Sequence, residues 1–346
     1  MPKKNKSKNK DEQFFWETAG IFLNHELPNI RKKSPNTVVS YRFSLNIYID
    51  YLENVKGIGR TLISFRDFNK ENLKDYLLWM DKEKRWNSRT SNLRMTAIRT
   101  LLSFVSEESA DITPTYMGCK SIKNLSIAKN EIEYFEDYQL AAILKAPEIC
   151  KKSERRNHMM LIVGYDIAVR VGELITLKVG DFRLDADVPY VRILGKGSKY
   201  RSVPLMKKTI THLRKYLNEF HPDTDPQKPL FYTVTHGMMH GLSDDTVQNV
   251  LKKYASQCES DGIHMPSYVH FHLLRKSRAM NLYKAGCPLS YIQQMLGHES
   301  LSTTSGFYAF ATLDSLEKAI EKANPTPDNT EKLWKNEDTI KRLYRL

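Results

Sequence analysis

Only four cysteines occur in 346 residues, Cys119, Cys150, Cys258 and Cys287, and no two form a CxxC pair. That spacing excludes a zinc ribbon and a dithiol redox motif. Sparse, scattered thiols fit a reducing cytoplasm. No apolar run approaches the ~20 residues needed to span a bilayer. The opening MPKKNKSKNKDEQ starts basic but leads into no apolar segment of the kind a secretory signal carries. The sequence therefore reads as that of a soluble, cytoplasmic protein. A GxxxxGK[ST] phosphate loop is also missing, since GKGSK at 195–199 lacks the spacing. Acidic residues are in deficit, 40 against 53 Lys and Arg, for a net charge of +13. Excess positive charge raises affinity for polyanions, because phosphate contacts release counterions. Charge alone fits a nucleic-acid enzyme, a ribosome-associated module or a membrane-surface binder, so other features must choose among them.

What is present is mostly helical pattern, with one stretch of strand pattern. The length implies two domains, because single cores stop growing near ~250–300 residues. Residues 1–11 read as a basic, disordered arm. Residues 12–125 read as a helical domain. Ser34 caps a helix whose first turn holds Pro35, and Val38, Tyr41, Leu45, Tyr48 and Leu52 form its apolar stripe. A second helix covers Glu71 to Asp81, with Leu73, Tyr76, Leu77 and Met80 inward. A third runs from Ser88 to about Glu107, with Leu93, Ala97, Leu101 and Val105 inward. Its outer face carries Arg89, Arg94 and Arg99, which either lie against DNA or form an ordinary solvated face. The pattern fades over 109–133, where Pro114 and Gly118 mark a connector, with the linker proper at 126–133.

The second domain spans 134–325. Helices are expected at Glu136 to Lys145 and His158 to Val169. From Val188 to Leu205, alternation around a GKGSK turn makes a β-hairpin. Helices resume at 206–220 and at 243–256, with Ser243 as a cap, and continue through 271–323 with breaks at 286–288 and Gly297. Residues 326–346 form a tail whose Leu333, Ile340 and Leu343 lie on one helical face. The fold class is thus mainly α with a small β-hairpin or sheet, an α+β arrangement in the second domain.

Four short elements stand out there: AVRVGEL at 168–174, GKGSKYRSVPL at 195–205, HLLR at 272–275 and LGHESLSTTSGFY at 296–308. Each is weak alone. In this order they resemble the catalytic domain of the tyrosine recombinases, the family of phage integrases and chromosome-dimer resolvases. The resemblance covers most of 131–323, and SPNTVVSYRFSLNIYIDYL extends it weakly into the first domain, where it looks like the start of the family's core-binding domain. By this resemblance the catalytic set is Arg170, Lys196, His272, Arg275, His298 and the nucleophile Tyr308. Tyr308 lies ten residues after His298 where many relatives have nine; Gly306 permits the extra residue as a bulge. Tyr283 and Tyr291 are the alternatives, but both precede His298.

The resemblance implies chemistry that suits these residue types. A phosphodiester repels nucleophiles and gains charge in the transition state. Two guanidiniums, Arg170 and Arg275, can clamp its non-bridging oxygens and remain charged at any physiological pH. Tyr308 attacks phosphorus and forms a 3′-phosphotyrosyl link. Its ordinary pKa near ~10 calls for help in losing the proton, which falls to His272. Lys196 protonates the departing 5′-oxygen, and His298 donates a hydrogen bond to the phosphate. Glu173 either orients Arg170 or a neighbour, or makes a plain helix salt bridge. No metal, ATP or other cofactor is implied.

The implied architecture is a two-domain C-shaped clamp on double-stranded DNA at specific sites. The implied assembly is a homotetramer, with the C-terminal tail docking either on a neighbour or on its own domain. A separate directionality or DNA-bending protein is a further implied partner, and the setting is the cytoplasmic nucleoid. The natural role is integration or excision of a mobile element, or resolution. A DNA-binding protein that keeps the fold without the chemistry is disfavoured by the intact set of residues. A type IB topoisomerase is disfavoured by the LGH…STTSGFY arrangement. An RNA-binding module rests on charge alone.

Overall fold

Phe15, Ala19 and Phe22 recur at helical spacing, and all three are buried. They lie on α1 (Asn5–Ile21) and the stretch that continues it. The computed structural model describes residues 5–127, 133–195 and 199–297. The chain divides into two units, Met1–Asn130 and Glu131–Leu346. In the first, residues 5–11 are helical, where the sequence suggested an unstructured arm. Once the apolar positions of α1 are packed, helix extends outward through polar residues at little cost per residue. Beyond Ile21 the helix widens into a π-helical stretch, Phe22–Ile30, which contains Pro28. Proline has no N–H to donate and crowds the preceding turn, so the regular ladder cannot run through it.

The next helix, α2 (Pro35–Asn54), starts where expected: the Ser34 side chain accepts the Thr37 N–H. Leu45, Tyr48 and Leu52 are buried, with Val38 and Tyr41 packed at the margin of the same core. In α3 (Lys70–Lys82), Leu73, Tyr76 and Met80 face inward and Leu77 is half-buried. In α4 (Ser88–Glu108), Ala97, Leu101 and Val105 are buried, but Leu93 is 45% exposed. Met95 and Ile98 take the inward positions instead, which turns the stripe by about one residue. The expected connector also contains α5 (Thr113–Lys120). Pro114 sits in its first turn, where no N–H is needed. A Cβ on Gly118 would lie 3.4 Å from Lys70 Cβ, so that glycine permits close packing on α3 rather than breaking the chain.

In the second unit, α6 (Asp137–Lys145) is capped by Glu136. The following helix, α7 (Lys152–Asp166), begins and ends earlier than the apolar pattern implied. Its polar first half is partly inward: Glu154 accepts from Tyr254 Oη and Lys253 Nζ, and Asn157 donates to Tyr254 Oη. It stops because Ala168 takes a left-handed conformation, φ +50°. After the one-and-a-half-turn α8 (Val171–Ile175) comes an antiparallel sheet of β1 (Phe182–Arg183), β2 (Tyr190–Leu194) and β3 (Tyr200–Pro204). Val191 pairs with Val203, and both are buried with Ile193. At two residues, β1 is too short to carry an alternating pattern.

Helix α9 (Lys207–Phe220) follows, then a separate hairpin of β4 (Tyr232–Thr235) and β5 (Met238–Gly241). That hairpin was not anticipated, because its strands lie mostly in solvent and carry no inward–outward alternation. Helix α10 (Asp244–Ser260) starts at the Ser243 cap. Then come α11 (His272–Lys284) and α12 (Leu289–Leu296), which ends at Gly297 in the left-handed region, φ +62°. Helices α7 and α9 to α11 pack with the sheet around one core.

Candidate active site

Arg275 is the anchor of the site. It projects from the first turn of α11 and is 2% exposed. Nη1 donates to the Ala168 carbonyl at 2.7 Å and Nη2 to the Leu296 carbonyl at 2.6 Å. The left-handed turn at Ala168, which costs an L-residue about 1–2 kcal/mol, aims that carbonyl at the guanidinium. It also directs the chain into Val169 and Arg170. One buried cation thus fixes both the segment that presents Arg170 and the end of α12, one residue before Gly297.

Arg170 stands at the start of α8 with its side chain 39% exposed. Glu173 accepts from the Arg170 backbone N–H at 2.9 Å and from its Nη1 at 2.9 Å. The same carboxylate accepts two parallel bonds from Arg201, at 2.9 and 2.7 Å. Burial alone would raise the Glu173 pKa. The hydrogen bonds from Arg201 and the Arg170 backbone, with both positive charges, outweigh it and hold the group down at about 2. Glu173 thus makes an i,i+3 ion pair with Arg170 at the start of α8 and a second pair with Arg201.

His272 opens α11 one turn before Arg275. Its pKa is pushed down to about 4, first by the surrounding protein and then by the charges of Arg275, Lys276, His270 and Arg170. The His270 ring stacks near it, centroids 6.3 Å apart. Arg170, Glu173, His272 and Arg275 thus lie within hydrogen-bonding or electrostatic reach of one another. Lys196, His298 and Tyr308 lie outside the described residues. Of the two other candidate nucleophiles, Tyr283 packs in a small cluster with Ala168 and Ile292, and Tyr291 is 65% exposed on α12. Among the described residues, no three His, Cys, Asp or Glu side chains gather as metal ligands.

Arg201 was not singled out from the sequence, although it lies within GKGSKYRSVPL. Strand alternation was the available signal: Tyr200, Ser202 and Pro204 are exposed, so 201 shares the inward face with Val203. The α4 arginines differ among themselves. Arg89 is exposed. Arg94 lies over the rings of Phe43 and Trp86 and donates to Ser44 Oγ at 2.9 Å. Arg99 donates to Asn124 Oδ1 and to the Ile122 carbonyl, holding the chain that follows α5.

The profile of the phage integrase family matches residues 133–312, and that of the phage integrase N-terminal SAM-like domain matches 22–109. The chain belongs to the phage integrase family, the tyrosine recombinases. It is therefore an enzyme of DNA cleavage and rejoining at specific sites. Among its relatives, the tyrosine recombinase XerD of Staphylococcus epidermidis is 30% identical over 84% of this chain and 93% of its own length. The integrase/recombinase y4rC of Sinorhizobium fredii is 28% identical over 88% and 90%. In fold, this tyrosine recombinase resembles a lambda integrase tetramer bound to a Holliday junction, with a TM-score of 0.64 and 15% identity over 84% of this chain and 76% of that one. Among its described residues, no helix is long and apolar enough to cross a membrane.

Proposed function

We propose that this recombinase cuts DNA by attack of Tyr308 on a scissile phosphate clamped by Arg170 and Arg275. The observation that carries the reading is the shared anchoring of both arginines, with Arg275 buried beneath the Ala168 turn and Arg170 held by Glu173. Fixed donors need no reorganisation as charge develops on the non-bridging oxygens. The attack forms a 3′-phosphotyrosyl bond and releases a 5′-oxygen, which Lys196 protonates while His298 donates to the phosphate. A 5′-hydroxyl from another strand then displaces the tyrosine, so no energy source is consumed. His272 takes the tyrosine proton. Trapping on nicked duplex tests the whole reading, and its decisive variant is argued in the Discussion.

The depressed pKa of His272 has a consequence for that role. A base must be neutral to act, and a ring with a pKa of about 4 stays neutral far below its ordinary range. The wild-type rate divided by the His272→Gln rate, measured with sub-saturating DNA, should hold constant from pH 8 to about 5.5. It should fall only as pH approaches 4. A ratio already halved at pH 6.5 would show that the ring titrates normally and that neither burial nor the neighbouring charges hold it down.

The likeness to a DNA-bound tetramer supports a homotetramer in which each protomer takes half of a recombination site. The setting is the nucleoid of the cytoplasm, an accessory directionality or DNA-bending protein is a partner, and the task is movement or resolution of a DNA element. Docking of the 326–346 tail on a neighbour fits that assembly. Truncation at Asn324 should then remove cooperativity from binding to a two-half-site duplex while leaving single half-site affinity intact. Unchanged cooperativity in a gel-shift titration would place the tail on its own domain.

A further inference from the structure

Arg201 has all three guanidinium nitrogens taken up by the protein, and through them it joins α8 to the end of α12. Its side chain is 9% exposed, and Glu173, which it pairs with, is equally buried. All three guanidinium nitrogens are engaged: Nη1 and Nη2 with the Glu173 carboxylate, and Nε with the Met295 carbonyl at 2.9 Å. Two glycines close over it. A Cβ on Gly195 would lie 3.3 Å from Arg201 Nη1. A Cβ on Gly297 would lie 3.1 Å from Cδ and 3.2 Å from Nη1. The strand, α8 and the end of α12 therefore share this one planar cation, with no room for side chains between them.

We propose that Arg201 is a positioning residue for the phosphate clamp, holding Glu173 where it can orient Arg170 without consuming it. The inference rests on the reading of Arg170 as a clamp residue. Glu173 is a buried carboxylate, and a buried charge must be paired. With Arg201 in place, the carboxylate already has two strong bonds, and it takes only the backbone N–H and Nη1 of Arg170. Without Arg201, the half-exposed Arg170 guanidinium becomes its remaining cationic partner. Arg170 is then drawn down onto Glu173 and away from the phosphate. Lysine at 201 restores the charge but not the planar, three-point geometry, so it repairs the clamp in part.

A substrate that needs less of a clamp separates this role from a general loss of structure. In a duplex whose scissile phosphate has one non-bridging oxygen replaced by methyl, the phosphorus centre is neutral. Arg201→Gln should slow strand cleavage of the ordinary phosphate by about 10²-fold. On the methylphosphonate its defect should shrink to within tenfold of wild type, as should that of Arg170→Ala. Arg201→Lys should fall between wild type and Arg201→Gln on the ordinary phosphate. If Arg201→Gln shows no cooperative melt, Arg201→Lys carries the same comparison. An equal defect on both substrates, with Arg170→Ala rescued, overturns the proposal and leaves the clamp standing. Failure to rescue Arg170→Ala itself overturns the clamp reading, and the role of Arg201 with it.

Discussion

Tyr308→Phe will leave DNA binding intact and abolish the covalent protein–DNA adduct. A phenyl ring packs as the phenol does but has no oxygen to attack phosphorus, so cleavage of a labelled, nicked duplex should fall by at least about 10⁴-fold. A denaturing gel reads the result directly, because only a covalent link survives it. The same gel decides the one-residue displacement of Tyr308 from the family's usual spacing after His298. If the adduct persists, the nucleophile lies elsewhere, and Tyr291 becomes the leading alternative because it is exposed. Tyr283 is less suited, since it packs beside Ala168 and Ile292. Tight, specific binding by wild type with no adduct would point instead to a protein that occupies sites without cutting them.

Arg275→Ala will damage both stability and chemistry, in proportions that can be separated. Removing the guanidinium leaves the Ala168 and Leu296 carbonyls without this donor inside the protein. Each hydrogen bond from a charged group contributes about 1.5–3 kcal/mol, so a loss on the order of 3 kcal/mol is expected. For a unit of this size, that lowers Tm by roughly 6–12 °C. Loss of a transition-state donor should also slow cleavage by about 10²–10³-fold at a temperature where the variant is folded. Arg275→Lys can reach one carbonyl and should recover part of the Tm with little of the rate. A melting curve indistinguishable from wild type would contradict the anchoring role of Arg275, and a rate within tenfold would contradict its place in the clamp.

How far the sequence speaks depends on what kind of signal a residue leaves. Ser34 and Ser243 were legible because a cap is a local event: a hydroxyl, an N–H three residues on, and nothing distant. Leu93 was misread because periodicity gives the width of an apolar face but not its centre, and Met95 and Ile98 moved that centre. Pro114 and Gly118 were misread as a break because their effect depends on place. Proline suits a first helical turn, and glycine allows a close approach that only the packed structure reveals. Arg170, His272 and Arg275 could be picked out through their family motifs. For Arg201, alternation along β3 marks only an inward-facing side chain; its pairing with Glu173 and Met295, far off in the chain, leaves no local sign. The left-handed Ala168 left no trace either, since no side chain demands it.

The bonds that assemble this site differ in kind from those that would hold DNA. Arg201 spends its guanidinium on a buried carboxylate and a carbonyl, and Arg275 commits two of its N–H groups to buried carbonyls. Exposed cations such as Arg89 face solvent. Dissolved ions screen exposed charges and compete for phosphate contacts, but they act much less on buried pairs. Ionic strength is therefore a dial that turns capture without turning chemistry. High salt strips a loosely held duplex from the protein while the catalytic pocket stays assembled, so a strand already joined to the enzyme can still be resealed.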